Sequence, residues 1–129
     1  MEEAARSPAA RGRCAEEIAA RWLRMNGFSI LDRNRRAAGG EIDLLAREGS
    51  TLVFVEVRLR RTGAWVGGGA SIGRAKWARI RSCARALAAA RDFSWPGRRM
   101  RIDAVVLEQD SGGLRLGDLR NLSGPSDGR

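Results

Sequence analysis

Acidic residues interrupt two segments that otherwise have the composition of buried β-strands. Glu41 and Asp43 lie in the first segment, 40–45, and Glu56 lies in the second, 53–58. A carboxylate buried without a partner costs several kcal/mol, so each of these acids requires one. A divalent cation is a suitable partner, because Mg²⁺ prefers carboxylate oxygens as ligands. Such a site can support phosphodiester hydrolysis without histidine, a residue that this chain lacks.

The turn between the two segments predicts which side chains meet. A four-residue hairpin loop at 48–51 gives three opposed pairs: Arg47 with Leu52, Asp43 with Glu56, and Glu41 with Arg58. Opposed residues hold their Cβ atoms about 4.5–5.5 Å apart, and like charges at that distance repel. A cation between Asp43 and Glu56 would turn this repulsion into a binding site. The carbonyl of Val57 and the carboxylate of Glu16, on the first predicted helix, are candidate additional ligands.

Roles without a metal ion remain open for the same acids. Glu41 and Arg58 can form a cross-strand ion pair, and the other two strand acids can each pair with an arginine of the second helix. On spacing alone, Glu16 is a solvated helix residue. Asp103 interrupts a later apolar strand, where we expect it to pair with Arg101 or with a backbone amide.

The charge of the chain favours a polyanionic partner. Its 129 residues carry a net charge of +9, with a pI near 11.4. Nucleic acid is the first candidate partner and an anionic membrane surface is the second. Because no histidine is present, catalytic triads and zinc sites that need imidazole are excluded. Lys76 is the only lysine among 24 basic residues, and this makes it a candidate functional residue.

The apolar periodicity predicts an α/β fold, a mixed sheet flanked by helices in the order α-β-β-β-α-β(-β). The predicted elements are a helix over 10–26, a strand over 28–31, a basic turn at 33–36, the hairpin over 40–60, a glycine-rich loop over 62–69, a helix from an N-cap at Ser71 to about Arg91, and strands over 101–107 and 114–119.

Length predicts one domain, spanning 10–120. We expect residues 1–9 to form a flexible leader and residues 121–129 to form a loose tail. The sequence shows neither a signal peptide nor an apolar run of membrane-spanning length, which predicts a cytoplasmic protein.

Several basic and aromatic residues are candidate contacts for nucleic acid. The second helix carries a row of arginines, and the glycine-rich loop carries a tryptophan that could stack on an unpaired base or anchor the loop. With two further arginines near the hairpin, the candidates are Arg36, Arg60, Trp65, Arg74, Arg81 and Arg85.

These motifs resemble those of the YraN family, small bacterial endonuclease-like proteins with the PD-(D/E)xK restriction-endonuclease-like fold. The resemblance covers roughly residues 12–107, about three quarters of the chain. It rests on several motifs in a fixed order: Ala15-Glu16, Trp22-Leu23, Gly27, Arg33-Asn34, Gly40-Glu41-Ile42-Asp43-Leu44, Val53-Phe54-Val55-Glu56-Val57-Arg58, Lys76 and Arg101-Ile102-Asp103-Ala104-Val105-Val106.

The resemblance implies an endonuclease related to Holliday junction resolvases, acting on structured or branched DNA with Mg²⁺ or Mn²⁺. It makes Asp43 and Glu56 the metal carboxylates, with Glu16 as the helix carboxylate that joins them. The lysine that activates water in this superfamily falls at Arg58. Arginine stays protonated and cannot act as a base, although it can stabilise charge on a phosphate. Lys76 is a candidate to replace the missing lysine in space.

Two other functions stay open beside the nuclease. One is a nucleic-acid-binding module of the same fold that has lost hydrolysis, and the other is an interaction domain whose basic face binds an acidic protein. Kinship with resolvases further implies a homodimer. If the protein is a nuclease, Glu41 supports the catalytic group, in which Asp43 and Glu56 hold the metal ion and Arg58 or Lys76 stabilises the transition state.

Overall fold

The computed structural model describes residues 8–61, 73–90 and 99–121, which form two helices and five strands. In chain order these elements are α1 (Pro8–Met25), β1 (Ser29–Ala37), β2 (Gly40–Glu48), β3 (Thr51–Arg61), α2 (Arg74–Ala89), β4 (Arg99–Asp110) and β5 (Gly113–Asn121). The predicted α/β class and the predicted order of elements are confirmed.

The five strands form one mixed sheet in the order β1-β2-β3-β4-β5. Neighbouring strands are antiparallel except β3 and β4, which are parallel. A parallel pair needs a long crossover connection, and the segment that contains α2 provides it. Each helix packs on a different face of the sheet.

The central strand β3 supplies core residues to both faces. Val53 and Val55 pack against α1, whereas Leu52 and Phe54 pack against α2, as the two-residue period of a strand requires. The helices contribute buried alanines and a cysteine, which allow close packing, together with three larger apolar residues. The buried helix residues are Ala15, Ala19, Ala20 and Leu23 of α1 and Ile80, Cys83, Ala84, Leu87 and Ala88 of α2.

Strand β1 is longer than the sequence predicts, and the predicted basic turn at 33–36 is wrong. These residues continue the strand because their charges find acidic partners nearby. Arg33 binds Glu17 of α1, Arg35 binds Asp32, and Arg36 binds an acid on β2. Residues 32–36 lack the alternation of apolar and polar residues that predicts a strand, so the sequence did not indicate that β1 continues through them.

Two predicted boundaries also differ from the structure. Helix α2 begins at Arg74 with Gly73 as its N-cap, so the prediction of Ser71 as the N-cap is wrong. The hairpin turn is two residues shorter than predicted, because Glu48 pairs with Thr51. The predicted register is unaffected, since Arg47 pairs with Leu52.

Some predictions lie outside the described residues. These are the glycine-rich loop with Trp65, and most of the predicted leader and tail, so the proposed division of the chain stays a prediction. Neither of the two described helices combines the length and apolar character needed to cross a bilayer.

Candidate metal and phosphate site

The hairpin of β2 and β3 opens at the predicted acidic pair. Ladder pairing runs from its turn to Leu44 and Val55 and stops there. At the next position, Asp43 Oδ2 accepts a hydrogen bond from the Val57 N–H at 2.7 Å. A side chain thus satisfies the β3 amide that a backbone carbonyl of β2 would otherwise satisfy.

Side-chain alternation along β2 is interrupted at the same residue. Ile42 packs in the core under α2, whereas Leu44 packs in the core under α1. Residues two apart on a regular strand share a face, so the backbone turns between them. This turn directs the Asp43 carboxylate toward β3 instead of into either core.

The strands separate into a cleft of about 500 Å³ between the first halves of the two helices. Acids and bases both line it. The charged lining residues are Glu16, Arg36, Glu41, Asp43, Glu56, Lys76 and Arg79. Six of these seven are residues that the sequence singles out.

Asp43 has the most strongly perturbed electrostatics in the cleft. Burial raises the pKa of its carboxyl group to about 8, assisted by hydrogen bonding to, and charge repulsion from, Glu56. The Val57 N–H opposes this shift, and the negative charge of Glu16 adds to it. The pair therefore needs either a shared proton or another positive charge near it.

Glu56 already has one cationic partner. Its side chain is 5% exposed, and its Oε2 atom lies 2.7 Å from the Lys76 ammonium in the first turn of α2. An ion pair with the second helix was one of the predicted alternatives, but the cation is lysine and not arginine. Asp43 has a backbone partner instead of the arginine considered for it.

The predicted ion pair between Glu41 and Arg58 is wrong. Glu41 Oε2 binds Arg36 Nε at 2.9 Å, because the strands have already separated at that level. Arg58 pairs along the ladder with Val106 of β4 and does not line the cleft among the described residues.

Among the described residues predicted to contact nucleic acid, Arg36 lines the cleft, whereas Arg60, Arg74, Arg81 and Arg85 are not part of its lining. Arg60 binds Glu108 of β4 at 3.3 Å. Arg74 and Arg85 are exposed on α2, and the Arg81 guanidinium lies 5.8 Å from the centre of the Trp77 ring. The expected pairing of Asp103 with Arg101 is confirmed, at 2.9 Å.

The acids of the cleft fit a magnesium ion that keeps part of its water shell. Within the part of the chain that the structure describes, no three acidic, cysteine or histidine side chains converge as a closed metal cluster. Mg²⁺ needs fewer, since it is commonly held by one or two carboxylates, with water and substrate phosphates completing its coordination. Asp43 and Glu56, together with the Val57 carbonyl, are the residues that would hold it, while Glu16 faces the same cleft.

Sequence reasoning missed two residues of this region. Arg79 was overlooked although it follows Lys76 by three residues, a spacing that puts both on one face of a helix. The sequence predicts a turn at Asn34, yet this residue lies in β1 and its side-chain amide contacts Glu16. No periodic signal marks Asn34, because its contact depends on a local backbone conformation.

Comparison with known proteins places the chain in a family. The model of "Uncharacterised protein family UPF0102" matches residues 15–107. The chain belongs to the UPF0102 family.

Relatives in this family include YraN, which confirms the predicted resemblance. A UPF0102 protein of Beutenbergia cavernae is 41% identical over 112 residues, which cover 86% of this chain and 93% of the relative. The UPF0102 protein YraN of Salmonella newport is 41% identical over 91 residues, which cover 70% of each chain. A UPF0102 protein of Dechloromonas aromatica is 54% identical over 71 residues, 55% of this chain and 59% of the relative.

The UPF0102 match includes every candidate residue, from Glu16 on α1 to Arg85 on α2. Family membership by itself names no reaction. The chemistry must therefore be argued from the cleft.

Proposed function

We propose that this UPF0102 protein is a metal-dependent endonuclease that acts on structured or branched DNA. The observation that carries the proposal is the convergence of Asp43 and Glu56 where the hairpin opens into the cleft. The similarity of the surrounding motifs to the PD-(D/E)xK pattern supports it. Asp43 and Glu56 hold Mg²⁺ or Mn²⁺ in this proposal.

If bound there, a divalent ion would supply Lewis-acid chemistry, since it would polarise the phosphate and favour deprotonation of the attacking water. The protein orients the two carboxylates in advance. The Val57 N–H fixes one oxygen of Asp43, and the Lys76 ammonium fixes one oxygen of Glu56. Both residues line the cleft, and their carboxyl groups are close enough to hydrogen-bond to each other. Glu16 lines the cleft on the α1 side.

Lys76, and not Arg58, takes the cationic role beside the scissile phosphate. Its ammonium lies at the acidic pair, whereas Arg58 is outside the cleft lining. Arg79 lines the same wall one helical turn further along α2. The two side chains supply positive charge for the phosphate oxygens as charge develops on them.

The outer surface of α2 binds the DNA backbone in this proposal. The helix contains no acidic residue and carries five basic ones: Arg74, Lys76, Arg79, Arg81 and Arg85. Contacts of this kind neutralise phosphates and release counterions, so they favour any DNA shape that fits the cleft and not one particular sequence.

Cleavage of a four-way junction in Mg²⁺ or Mn²⁺ tests the proposal. Asp43→Asn keeps an acceptor for the Val57 N–H, and Glu56→Gln keeps the shape of the side chain. Each change should lower the cleavage rate by about 100-fold or more, because a preorganised charge is lost. Glu108→Gln is the control, since it removes a carboxylate that pairs with Arg60 outside the cleft. Cleavage that survives both substitutions would overturn the nuclease proposal.

A binding module without hydrolysis is the second candidate. The observation that favours it is the Lys76 ammonium, which already compensates the charge of Glu56. Salt-sensitive binding of the junction without cleavage in either metal would support this function and exclude the first. Absence of binding at low salt would leave the interaction domain for an acidic protein.

A further inference from the structure

Strand β1 contains a left-handed residue beside the acidic pair. Asn34 has a φ of +51°, a conformation that asparagine tolerates better than most residues. Its neighbours Arg33 and Arg35 pair with Leu44 and Ile42 of β2, so Asn34 lies level with Asp43. The interruptions of β1 and β2 therefore occur at the same level of the sheet.

The left-handed turn lets two consecutive side chains of β1 reach the same helix. Arg33 Nη1 donates to Glu17 Oε1 at 2.8 Å, and Asn34 Nδ2 lies 3.2 and 3.3 Å from the two carboxylate oxygens of Glu16. Consecutive residues of a regular strand point to opposite faces. Without the turn at Asn34, only one of these contacts with α1 could form.

The two helix acids receive different kinds of partner. Glu17 is surrounded by Arg21, Arg24 and Arg33, which neutralise it. Within the described part of the chain, the recorded hydrogen bonds of the Glu16 carboxylate come from the amide of Asn34. An amide orients a carboxylate without cancelling its charge. The Glu16 side chain lines the same cleft as Asp43 and Glu56, so its negative charge lies on the same side of the sheet as the proposed cation site.

We propose that Asn34 is the positioning residue of the acidic cleft, holding Glu16 toward the cation site of Asp43 and Glu56 while leaving its negative charge uncancelled. The proposal rests on the metal-binding function proposed above. Asn34 acts through Glu16 and touches neither cation nor phosphate. Glu16 would then add negative charge beside the cation without being one of the two carboxylates that hold it.

Calorimetric titration of the metal-free protein with Mn²⁺ tests this role. Asn34→Gly should keep the backbone turn, because glycine adopts positive φ without strain, but it removes the amide. We expect about a tenfold weaker Mn²⁺ affinity, as is usual when a residue that orients a ligand is lost. The urea midpoint should stay near the wild-type value. Glu16→Gln should weaken affinity to a similar extent.

The double variant Glu16→Gln/Asn34→Gly tests whether Asn34 affects Mn²⁺ affinity through Glu16. In the Glu16→Gln background, Asn34→Gly should cause no further loss of affinity, because its effect passes through that carboxylate. Glu17→Gln is the matched control on the adjacent residue. It should lower the urea midpoint, since it removes ion pairs between α1 and β1, and leave Mn²⁺ affinity unchanged.

The possible results separate this inference from the proposed function. Wild-type affinity in Asn34→Gly, or additive losses in the double variant, would overturn the positioning role alone. Mn²⁺ binding that persists in Asp43→Asn and Glu56→Gln would overturn the proposed cation site. A wild-type protein that binds no Mn²⁺ would overturn both.

Discussion

The Asp43 carboxyl group makes two different interactions at the point where the hairpin opens. It replaces a ladder hydrogen bond to Val57, and it faces a second carboxylate in a desolvated cleft. Its presence inside an apolar strand identified it in the sequence. The sequence could not reveal the bond to Val57, which depends on the backbone turn between Ile42 and Leu44.

The raised pKa of Asp43 gives a definite pH dependence of stability. Its carboxyl group has a pKa of about 8 in the folded protein and an ordinary value of 3.8. Between these values the folded state binds the extra proton, so the stability contribution is complete below pH 4 and is lost as pH rises to about 8. The free energy of unfolding in EDTA should therefore fall by up to about 1.4 kcal/mol per pH unit from this group.

Urea unfolding of wild type and Asp43→Asn between pH 4 and 8 measures this contribution. The difference between the two proteins isolates Asp43 from other groups, including Asp103, whose pKa burial also raises. A difference that is independent of pH would contradict the protonated state inferred for Asp43.

Lys76 should stabilise the metal-free protein through Glu56. Lys76→Met leaves a buried carboxylate without its ammonium, and we expect a loss of about 1–2 kcal/mol, less than for a fully buried pair because the lysine is half exposed. In a Glu56→Gln background the same substitution should cost much less. Denaturation of the four proteins in this cycle measures the coupling. Equal losses in both backgrounds would show that the ion pair contributes nothing.

At the scale of elements, the hairpin shows where sequence reasoning succeeds and where it stops. The register near the turn was predictable, since polar turn residues and the two-residue period determine it. The pair of Glu41 and Arg58 was not, because the strands diverge after Leu44 and Glu41 binds Arg36. Local periodicity carries no information about such a divergence.

Helix α2 can bring Lys76 to the cleft only because a glycine lies beneath it. A Cβ atom at Gly40 would overlap the carbonyl of Arg79 and contact the Cys83 side chain. Gly40→Ala should lower the free energy of unfolding by about 1–3 kcal/mol, the usual cost of overpacking, and should weaken phosphate or metal binding as α2 shifts.

Gly12→Ala is the matched control for this prediction. Gly12 also lines the cleft, but it lies within α1 and has open space around its Cβ position. Alanine there should stabilise the helix by about 1 kcal/mol. Thermal unfolding of both variants gives the comparison, and equal shifts would refute the close packing inferred at Gly40.

At the scale of the whole molecule, the net charge is +9, and the basic residues that are paired with acids are unevenly distributed among the elements. Five arginines of α1 and β1 pair with acids, namely Arg21, Arg24, Arg33, Arg35 and Arg36. Helix α2 has no acid of its own, and among its described basic residues Lys76 is the one that forms an ion pair. Basic composition alone predicted a polyanionic partner. It could not assign the partner to α2, because pairing within the fold decides which charges remain available.

Replacing Arg74, Arg81 and Arg85 with glutamine should weaken DNA binding and its salt dependence together. Each lost phosphate contact reduces the slope of log K against log salt by about 0.9, so the triple variant should lose about 2–3 units. Glutamine at Arg21, Arg24 and Arg115, which pair with acids, removes the same charge and serves as the control. Fluorescence anisotropy across salt concentrations gives both slopes. Equal slopes for the two variants would contradict a DNA surface on α2.

The overall fold was predictable because its elements repeat apolar residues at clear intervals. The buried strands β3 and β4 and both alanine-rich helices carry an apolar signal, whereas β1 does not, since polar and charged residues fill positions 32–36 at both its exposed and its partly buried positions. The cleft required tertiary structure, because α1, the hairpin and α2 each contribute only part of its charged lining.

The most direct test is a crystal of the protein soaked in Mn²⁺ and measured at a wavelength where manganese scatters anomalously. We predict one anomalous peak between the carboxylates of Asp43 and Glu56, and no such peak in crystals of Asp43→Asn. Wild-type crystals with no peak at that position, and with Lys76 still bound to Glu56 at high Mn²⁺ concentration, would contradict the cation site.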